Sequence, residues 1–272
     1  MSTKIFGREY KLTVATFDVS ALRVQFDITK TLKPTPNTCE IKLYNLTQEH
    51  RNELATPKKL PVRLQAGYKG ALAQLYLGEV RRARSVTEGA DVVTYLSTAD
   101  SEDPLQKTRL NRPVGAGASP ADVLPMLVAA LGVGEGNAKQ MVAKLRAKGA
   151  ANVYGKRAVL SGHAAQELTD FCRSAGIEWS IQDGRLQFLD LNKPLEGTAV
   201  ELSADTGLVG SPTVDSKGLA EAKCAMIPLL QPGRKVAFNS EHLKGGYRII
   251  QAKYNGDSHA EEWHTTITCK KY

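Results

Sequence analysis

The segment Leu22-Arg-Val-Gln-Phe-Asp-Ile28 decides the fold, because apolar and polar side chains alternate along it. Neighbouring side chains of a β-strand point to opposite faces of the sheet, so this alternation predicts a strand with one buried face. The same alternation occurs at residues 39–44 and 62–66. We therefore expect the first hundred residues to form mainly β-sheet.

Further elements are expected beside these segments. Residues 76–82 and 91–97 are predicted strands, and the polar link between them contains Glu88-Gly89, which is typical of a hairpin. A short helix is expected over residues 47–54, with Thr47 as its N-cap.

The middle of the chain has a helical pattern. Ser119-Pro120 is typical of a helix start, since serine caps the first turn and proline fits the first helical position. Apolar residues then recur at helical spacing until Gly132, where we expect the helix to end. A second, basic helix is predicted over residues 138–148. A third is expected to begin at Ser161 and to end at Gly176.

A hairpin is predicted directly after the third helix. Asp183-Gly184 lies between the apolar runs 177–181 and 186–189, and Asp-Gly in such a place is a strong hairpin signal. From Val200 onward the pattern indicates β-structure again, with a polar loop expected over residues 255–262.

The two β regions resemble each other in the order of strands and loops. One series consists of residues 62–66, 75–82 and 92–97, and the other of residues 236–240, 247–254 and 263–269. We interpret this as an α+β, mainly β protein with two antiparallel β-barrels that flank a helix-plus-hairpin insert. Closing a sheet into a barrel removes its exposed edges. The expected domains are residues 1–103, 104–196 and 197–272.

Composition is that of an ordinary globular protein, with 42% hydrophobic and 24% charged residues among 272. No apolar run is long enough for a transmembrane helix, and the N-terminus has no apolar signal-peptide core. We therefore expect synthesis in a cytoplasm. Four scattered cysteines without a C-x-x-C pair favour reduced, mostly buried thiols. They are Cys39, Cys172, Cys224 and Cys269.

The formal net charge of +8 permits nucleic-acid binding but does not require it. Basic residues are densest at Arg81, Arg82 and Arg84 and over residues 139–148. Neither group has interleaved aromatic residues that would stack on bases. Solvated faces or contacts to an acidic partner protein are favoured over nucleic-acid binding.

Histidines and carboxylates do not form a recognisable catalytic or metal site. His259 and His264 are five residues apart, which on one strand places them on opposite faces. Asp257, His259, Glu261 and Glu262 fall in a predicted loop, where a solvated hairpin tip is favoured over a metal site.

Three other segments have some features of a functional site, but their sequences favour structural interpretations. The glycine-rich residues 132–136 follow a helix and lack the Gly-Lys-Ser/Thr of a phosphate-binding loop, which favours a flexible linker. Ser161-Gly162-His163 lacks a nucleophile-elbow frame. Asp100, Glu102 and Asp103 are expected on the surface at a strand end. We predict no catalytic, cofactor-binding or metal-binding residues and no enzyme activity.

Three segments resemble phage baseplate hub proteins. The first is Pro36-Asn-Thr-Cys-Glu-Ile-Lys-Leu-Tyr-Asn-Leu46, and the second joins residues 165–179 to Asp183-Gly-Arg-Leu-Gln-Phe188. The third, most specific segment runs from Leu202-Ser203 to Glu262-Trp263 and includes Gly256-Asp-Ser-His259. One departure from the family pattern is Glu221-Ala-Lys-Cys-Ala-Met-Ile227, where a more hydrophobic strand is expected.

The resemblance implies a structural role in the tail of a virion. Related hubs, including the spike proteins of type VI secretion, are trimers in which each chain gives two barrels. Six barrels then let a threefold spike or fibre join a sixfold tail tube or distal tail ring. The implied partners are further copies of the chain, those tail proteins, the tape-measure protein and the central spike. DNA would pass through the channel without specific binding.

Two alternatives stay open at this point. A distal tail or tube-initiator protein would form a sixfold ring with one barrel per chain, whereas a hub would be threefold with two. A cell-wall hydrolase would need an additional domain, for which the sequence offers no evident room.

Overall fold

The structure is a computed structural model that describes residues 7–56, 59–149 and 156–272. The expectation that the N-terminus has no apolar signal-peptide core concerns in part residues 1–6, which lie outside the described range. Strands account for 49% and helices for 20%, which confirms a mainly β fold. The chain divides into two compact units. Unit 1 is Met1–Thr31, Asn37–Asp100 and Pro194–Tyr272, and unit 2 is Leu32–Pro36 and Ser101–Lys193.

Unit 1 contains a 13-stranded sheet. Its N-terminal elements are β1 (Arg8–Val14), β2 (Phe17–Asp18), β3 (Val24–Thr31), β4 (Thr38–Tyr44), α1 (Gln48–Ala55), β5 (Pro61–Tyr68), β6 (Ala73–Glu88) and β7 (Asp91–Ala99). Its C-terminal strands are β12 (Val200–Leu202), β13 (Leu208–Val214), β14 (Leu219–Ala225), β15 (Lys235–Asn239), β16 (Lys244–Asp257) and β17 (Trp263–Lys271). A 3₁₀ turn spans Ala204–Thr206.

The strands lie in the order β13-β14-β17-β16-β3-β4-β7-β6-β5-β1-β2, with β15 beside the first half of β16 and β12 beside β15. All pairs are antiparallel except β12 with β15. Because β13 and β2 end this order, no closed barrel is found among the described strands. The two β regions share one continuous sheet through the pairing of β3 with β16.

The sheet contains the same strand order twice. We call β1 and β3–β7 the first β module, in which the order is β3-β4-β7-β6-β5-β1. We call β12–β17 the second β module, in which it is β13-β14-β17-β16-β15-β12. Each strand of one module has a counterpart at the same place in the other. The two similar series expected from the sequence therefore have one topology, although β1 joins its module antiparallel and β12 parallel.

Alternation along the strands decides which sheet face is buried. On β3, Val24, Phe26 and Ile28 are buried, while Asp27 between them is exposed. One face of this antiparallel sheet packs into the core of unit 1 and the other meets solvent, as the period-two pattern predicts.

Unit 2 contains α2 to α5 and two short hairpins. Its elements are α2 (Glu102–Lys107), β8 (Arg109–Val114), α3 (Pro120–Leu131), α4 (Ala138–Ala147), β9 (Ala158–His163), α5 (Ala164–Ala175), β10 (Ile177–Gln182) and β11 (Arg185–Asp190). It has its own hydrophobic core, centred on Leu124, Leu168, Phe171, Trp179 and Phe188.

Most helix ends and turns were predicted correctly from local sequence signals. The hydroxyl of Thr47 accepts a hydrogen bond from the backbone N–H of His50, and Ser119 and Asp122 form a capping box at α3. Gly132 and Gly176 end α3 and α5 in the left-handed conformation. Asp183 and Gly184 both have positive φ, as a type I′ hairpin turn requires.

The expected start of the third helix at Ser161 is wrong. Ser161 lies in β9, where it pairs with Asn111 of β8, and α5 begins only at Ala164. Ladder pairing with β8, which sequence patterning does not reveal, extends the strand to His163 and delays the helix.

The glycine-rich segment is also not a flexible linker. Gly134 bridges to Arg185, its N–H donates to the carbonyl of Gly184, and its carbonyl accepts from the N–H of Leu186. Gly136 lies so close to β11 that a Cβ atom there would be 1.6 Å from the Leu186 carbonyl oxygen. These glycines allow the backbone to dock against the hairpin.

This close approach predicts that Gly136→Ala destabilises unit 2 more than Gly132→Ala. Both glycines have positive φ, so each alanine adds backbone strain of about 1 kcal/mol. Only position 136 adds a clash, because nothing lies within 4 Å of a Cβ at position 132. We expect an additional loss of about 1–3 kcal/mol. Urea unfolding followed by Trp179 fluorescence, in a Trp263→Phe background, measures it, and equal losses would contradict the packing argument.

Candidate functional site: an assembly surface

The β3–β16 pairing is the joint between the two β modules. Residues 25–31 of β3 pair antiparallel with residues 251–257 of β16. The first half of β16 pairs with β15 on the same side. β3 therefore takes over the pairing with β16 at the point where β15 ends. Main-chain hydrogen bonds thereby connect the beginning and the end of the chain in one ladder.

An aromatic ring over a glycine sets the geometry of this joint. Phe26 lies opposite Gly256, and a Cβ atom at position 256 would be 2.3 Å from the ring. The Phe26 ring also meets Trp263 edge-on at 5.6 Å between centroids. The indole N–H of Trp263 donates to the carbonyl of Gly67 at 3.2 Å. Glycine is needed at position 256 because the aromatic ring occupies the space of its side chain.

Asp257 anchors the end of the joint. Its carboxylate is buried and accepts hydrogen bonds from the guanidinium of Arg23 at 2.7 Å, the amide of Gln25, and the backbone N–H of His259 at 2.8 Å. Burial by itself would raise the pKa of Asp257, but the bonds from Arg23, Gln25 and His259 outweigh it. They hold the pKa well below that of an ordinary carboxyl group. Next to it, Ser258 exchanges hydrogen bonds with the backbone of Val24.

The hairpin-tip prediction is therefore right for three residues and wrong for one. His259, Glu261 and Glu262 are exposed, whereas Asp257 lies inside β16. Its main partner, Arg23, is 234 residues away in sequence, so no local motif pointed to this pair.

Two asparagines of the first resemblance segment also have structural roles. Asn37 is buried, and its backbone and side-chain N–H groups donate to the two carboxylate oxygens of Asp100 at 2.6 and 3.0 Å. The expectation of Asp100 as a surface residue is wrong, since Asn37 satisfies it inside the fold. Asn45 has a φ of 57°, and its side chain bonds Asp91 and the backbone of Val92. It therefore holds the start of β7.

The solvent-facing side of the sheet carries charges of both signs. On it, Asp27 accepts a hydrogen bond from Asn255 at 2.8 Å, and Glu40 accepts one from Ser97 at 2.6 Å. Tyr95 contacts two cations, with Lys42 5.5 Å and Arg84 4.7 Å from its ring centroid. We call this side, on β3, β4, β6, β7, β14, β16 and β17, the polar face. Along β4 and β14 it carries an acidic and a basic residue in turn, Glu40 with Lys42 and Glu221 with Lys223.

The basic groups seen in the sequence lie on two different elements. Arg81, Arg82 and Arg84 are exposed on the second half of β6. Lys148, the C-cap residue of α4, and Lys144 within that helix form ion pairs with Asp190, which lower the pKa of that carboxyl group. Part of the basic charge is thus balanced within unit 2.

The segment that departs from the family pattern lies in β14 as far as Ala225, and this strand is an ordinary one. Along β14, Ala220, Ala222 and Cys224 are buried, and Glu221 and Lys223 are exposed on the polar face. It pairs in register with β17. Its charges are compatible with the sheet because only one face of this strand is buried.

Metal and thiol chemistry find little support in the described residues. Across residues 7–56, 59–149 and 156–272, no group of three His, Cys, Asp or Glu side chains is placed to hold a metal ion. All four cysteines are free and buried. Burial raises the pKa of each thiol, to about 12 for Cys224, so the reactive thiolate is scarce. In the same part of the chain, no helix has the length and apolarity to cross a membrane.

The buried thiols predict slow reaction with a thiol reagent. In native protein at pH 8, we expect fewer than one of the four cysteines to react with dithionitrobenzoate within minutes. In guanidinium all four should react at once. Rapid modification of a native thiol would show that its burial is wrong.

The Asp257 anchor predicts that Asp257→Asn destabilises unit 1 by about 1–3 kcal/mol, since it removes the charge that Arg23 pairs with. The side chain of Arg23 is 37% exposed, so solvent screens the ion pair and limits the loss in the free energy of unfolding. Asp27→Asn is the matched control, because Asp27 is exposed. Urea unfolding at pH 7 measures both, and equal effects would contradict the buried anchor.

The same anchor has a defined pH dependence. A carboxyl group whose pKa is lowered in the folded state stabilises the fold above the ordinary pKa of about 4, and this is lost as pH falls further. The difference between Asp257→Asn and the unmodified protein should therefore shrink below pH 4. A difference that grows with acidity would overturn this assignment.

Comparisons with known structures agree on the fold. A tail protein of prophage MuSo2 from Shewanella oneidensis has a TM-score of 0.67 and 11% identity, over 97% of this chain and 98% of that one. A tail protein from Neisseria meningitidis MC58 also has a TM-score of 0.67, with 12% identity over 98% and 97%. A type VI secretion component of E. coli has a TM-score of 0.59 and 12% identity, over 98% and 77%. At such identities these matches show the fold alone.

The sequence itself matches a protein family. No curated relative matches it. A family described as baseplate hub gp41 matches residues 11–269, nearly the whole chain. Proteins of this kind are structural components of the phage tail rather than enzymes, and they are part of the virion. The resemblance noted in the sequence is confirmed, and the chain belongs to the baseplate hub gp41 family.

Proposed function

We propose that this chain is a tail hub of which three copies form a ring around the tail axis. The observation that carries the proposal is the repeated strand order of the two β modules. A trimer of a chain with two similar modules presents six around its axis, so it can meet a sixfold tube on one side and a threefold object on the other. A single-module chain would need six copies for the same match.

The two modules take the place of the two tube-like barrels expected from the sequence. The proposed barrels are residues 1–103 and 197–272, and the helix-plus-hairpin insert is residues 104–196. In one chain the sheet is open at β13 and β2. We propose that neighbouring copies in the ring supply the closure that the single chain lacks.

The proposed partners follow from this symmetry. The sixfold side of the ring joins the tail tube or distal tail ring, and the threefold side joins a central spike or fibre. The tape-measure protein and later the DNA pass through the channel. Assembly takes place in the host cytoplasm, before the hub becomes part of the virion.

The polar face has the chemistry that a channel lining needs. Each phosphate held by a lysine or arginine would slow the passage of DNA. Alternating charges, such as Glu40 beside Lys42 and Glu221 beside Lys223, repel and attract a polyanion in turn. We propose that most of the remaining basic residues lie outside the channel or at its rims. A continuous basic channel in the assembled ring would contradict this.

The runner-up function, a distal tail or tube-initiator protein, is disfavoured by the same repeat. Such a protein would form a sixfold ring and carry one module per chain. Both modules here belong to unit 1 and share one sheet.

The proposal predicts a trimer with threefold symmetry. Native mass spectrometry should detect a species of three times the 29.5 kDa chain mass, and electron microscopy of the tail tip should show three copies around the axis. Six copies in the ring, or one β module per copy, would overturn the proposal.

A further inference from the structure

The two β modules can be aligned residue by residue through their central hairpins. Val62 of β5 lies opposite Gly78 of β6, and Val236 of β15 lies opposite Tyr247 of β16. Three residues further on, each long strand has one extra residue against its hairpin partner, at Arg81 and at Ile250. Residues 82–88 of β6 therefore correspond to residues 251–257 of β16.

These corresponding segments differ in what covers them. Residues 251–257 are paired on one side with β17 and on the other with β3, and Ala252, Tyr254 and Gly256 are buried. Residues 82–88 are paired with β7, but no strand of the described chain pairs with their other side. Every residue among them is exposed except the half-buried Ala83. The edge formed by this part of the long strand is therefore paired with β3 in the second module, whereas the corresponding edge has no strand partner among the described residues in the first.

The strand that corresponds to β3 in the second module is β13. Glu40 and Glu221 occupy equivalent places on β4 and β14, and their partners are Asp27 on β3 and Thr213 on β13. β13 ends the strand order, and on the side away from β14 it has no strand partner in the described residues. Six strands separate it from β6 in its own chain, so the matching edge must come from another copy.

We propose that β13 of one copy pairs antiparallel with residues 82–88 of β6 in the next copy and thereby repeats the β3–β16 joint between chains. The inference rests on the proposed ring, and names the edges that close it. Main-chain pairing of this kind adds a strand to an open sheet edge. Each copy offers one β13 and one open β6 half, which makes the contact head-to-tail and suited to a closed ring.

The side chains on the two edges are compatible with the transferred register. It places Ser85 opposite Val214, Val86 opposite Thr213, and Arg84 opposite Asp215. Val86 and Val214 are 41% and 53% exposed, and belong to a small set of large hydrophobic residues that face solvent. Pairing would cover these valines and bring opposite charges together.

The two joints differ at one place, and there the side chains of each joint fit each other in size. Where β3 carries Phe26 against Gly256, β13 has a bulge between Val209 and Thr213, with Gly210 at a φ of 70°. The opposing residue on β6 is Thr87. Because the β13 side has no aromatic ring at this place, the β6 side has no need of glycine.

A disulfide between copies tests the edges. Directly opposite residues of an antiparallel pair have Cα atoms about 4.5–5.5 Å apart, within reach of a disulfide. We would combine Val86→Cys with Thr213→Cys, two exposed positions, in the full chain, whose four natural cysteines are buried. Mild oxidation should convert most of the protein to covalent dimers and trimers on a non-reducing gel.

The matched control combines Val86→Cys with Val214→Cys. This shifts the register by one residue and points the two thiols to opposite faces of the sheet. It should stay mostly monomeric on the same gel, as should each single variant. Equal cross-linking of the matched and shifted pairs would overturn the proposed register.

The oligomer mass of each variant, measured under reducing conditions, tests the proposed ring independently of the cross-link. The two results together distinguish a failure of this inference from a failure of the ring. A trimer without the Val86–Thr213 cross-link would overturn the edge assignment and leave the ring intact. Cross-linking that continues beyond trimers would support the edges but contradict the threefold ring. A monomer without cross-link at every concentration would count against both.

Discussion

The fold of unit 1 depends on the ladder between β3 and β16, because it is the only described pairing that joins the two β modules. Its side chains leave little freedom. Gly256 must lack a side chain for Phe26 to lie over it, and Asp257 must be charged to hold Arg23. A slip by one residue would turn Phe26 to solvent and Asp27 into the core. The ladder thus fixes both the register and the relative placement of the two modules within the sheet.

Much of the local structure could be predicted from the sequence, because its causes are local. The capping box at Ser119, the left-handed glycines after α3 and α5, and the Asp183-Gly184 turn each depend on a few neighbouring residues. Strand alternation worked for the same reason, since it reports one buried face wherever the partner strand lies. It also revealed that the two β regions repeat, although not how they join.

Features that depend on residues distant in the sequence could not be predicted from it. Nothing near Asp257 or Asp100 indicates that Arg23 and Asn37 will bury them. Ser161 has the features of a helix cap, but pairing with β8 places it in a strand. Gly134 and Gly136 look like linker residues until β11 lies against them. In each case a tertiary contact overrode a local preference. The sequence also did not indicate that the two β regions share one sheet, since periodicity does not specify which strands pair.

In the proposed ring, the open edge of the first β module is where a single chain needs a neighbouring copy. Exposed strand edges invite pairing with other chains, and proteins usually shorten, bend or charge them. β13 is bent by its bulge, and β6 carries arginines, so both edges discourage unspecific partners. In the proposed ring, the open edge has to pair with its partner strand in one defined register. The β3–β16 joint shows that this sheet can define such a register through its side chains. In the proposed ring, the two joints differ at one place, where the internal joint has Phe26 against Gly256 and the joint between copies has Thr87. This difference would let a chain distinguish its own β3 from a neighbour's β13.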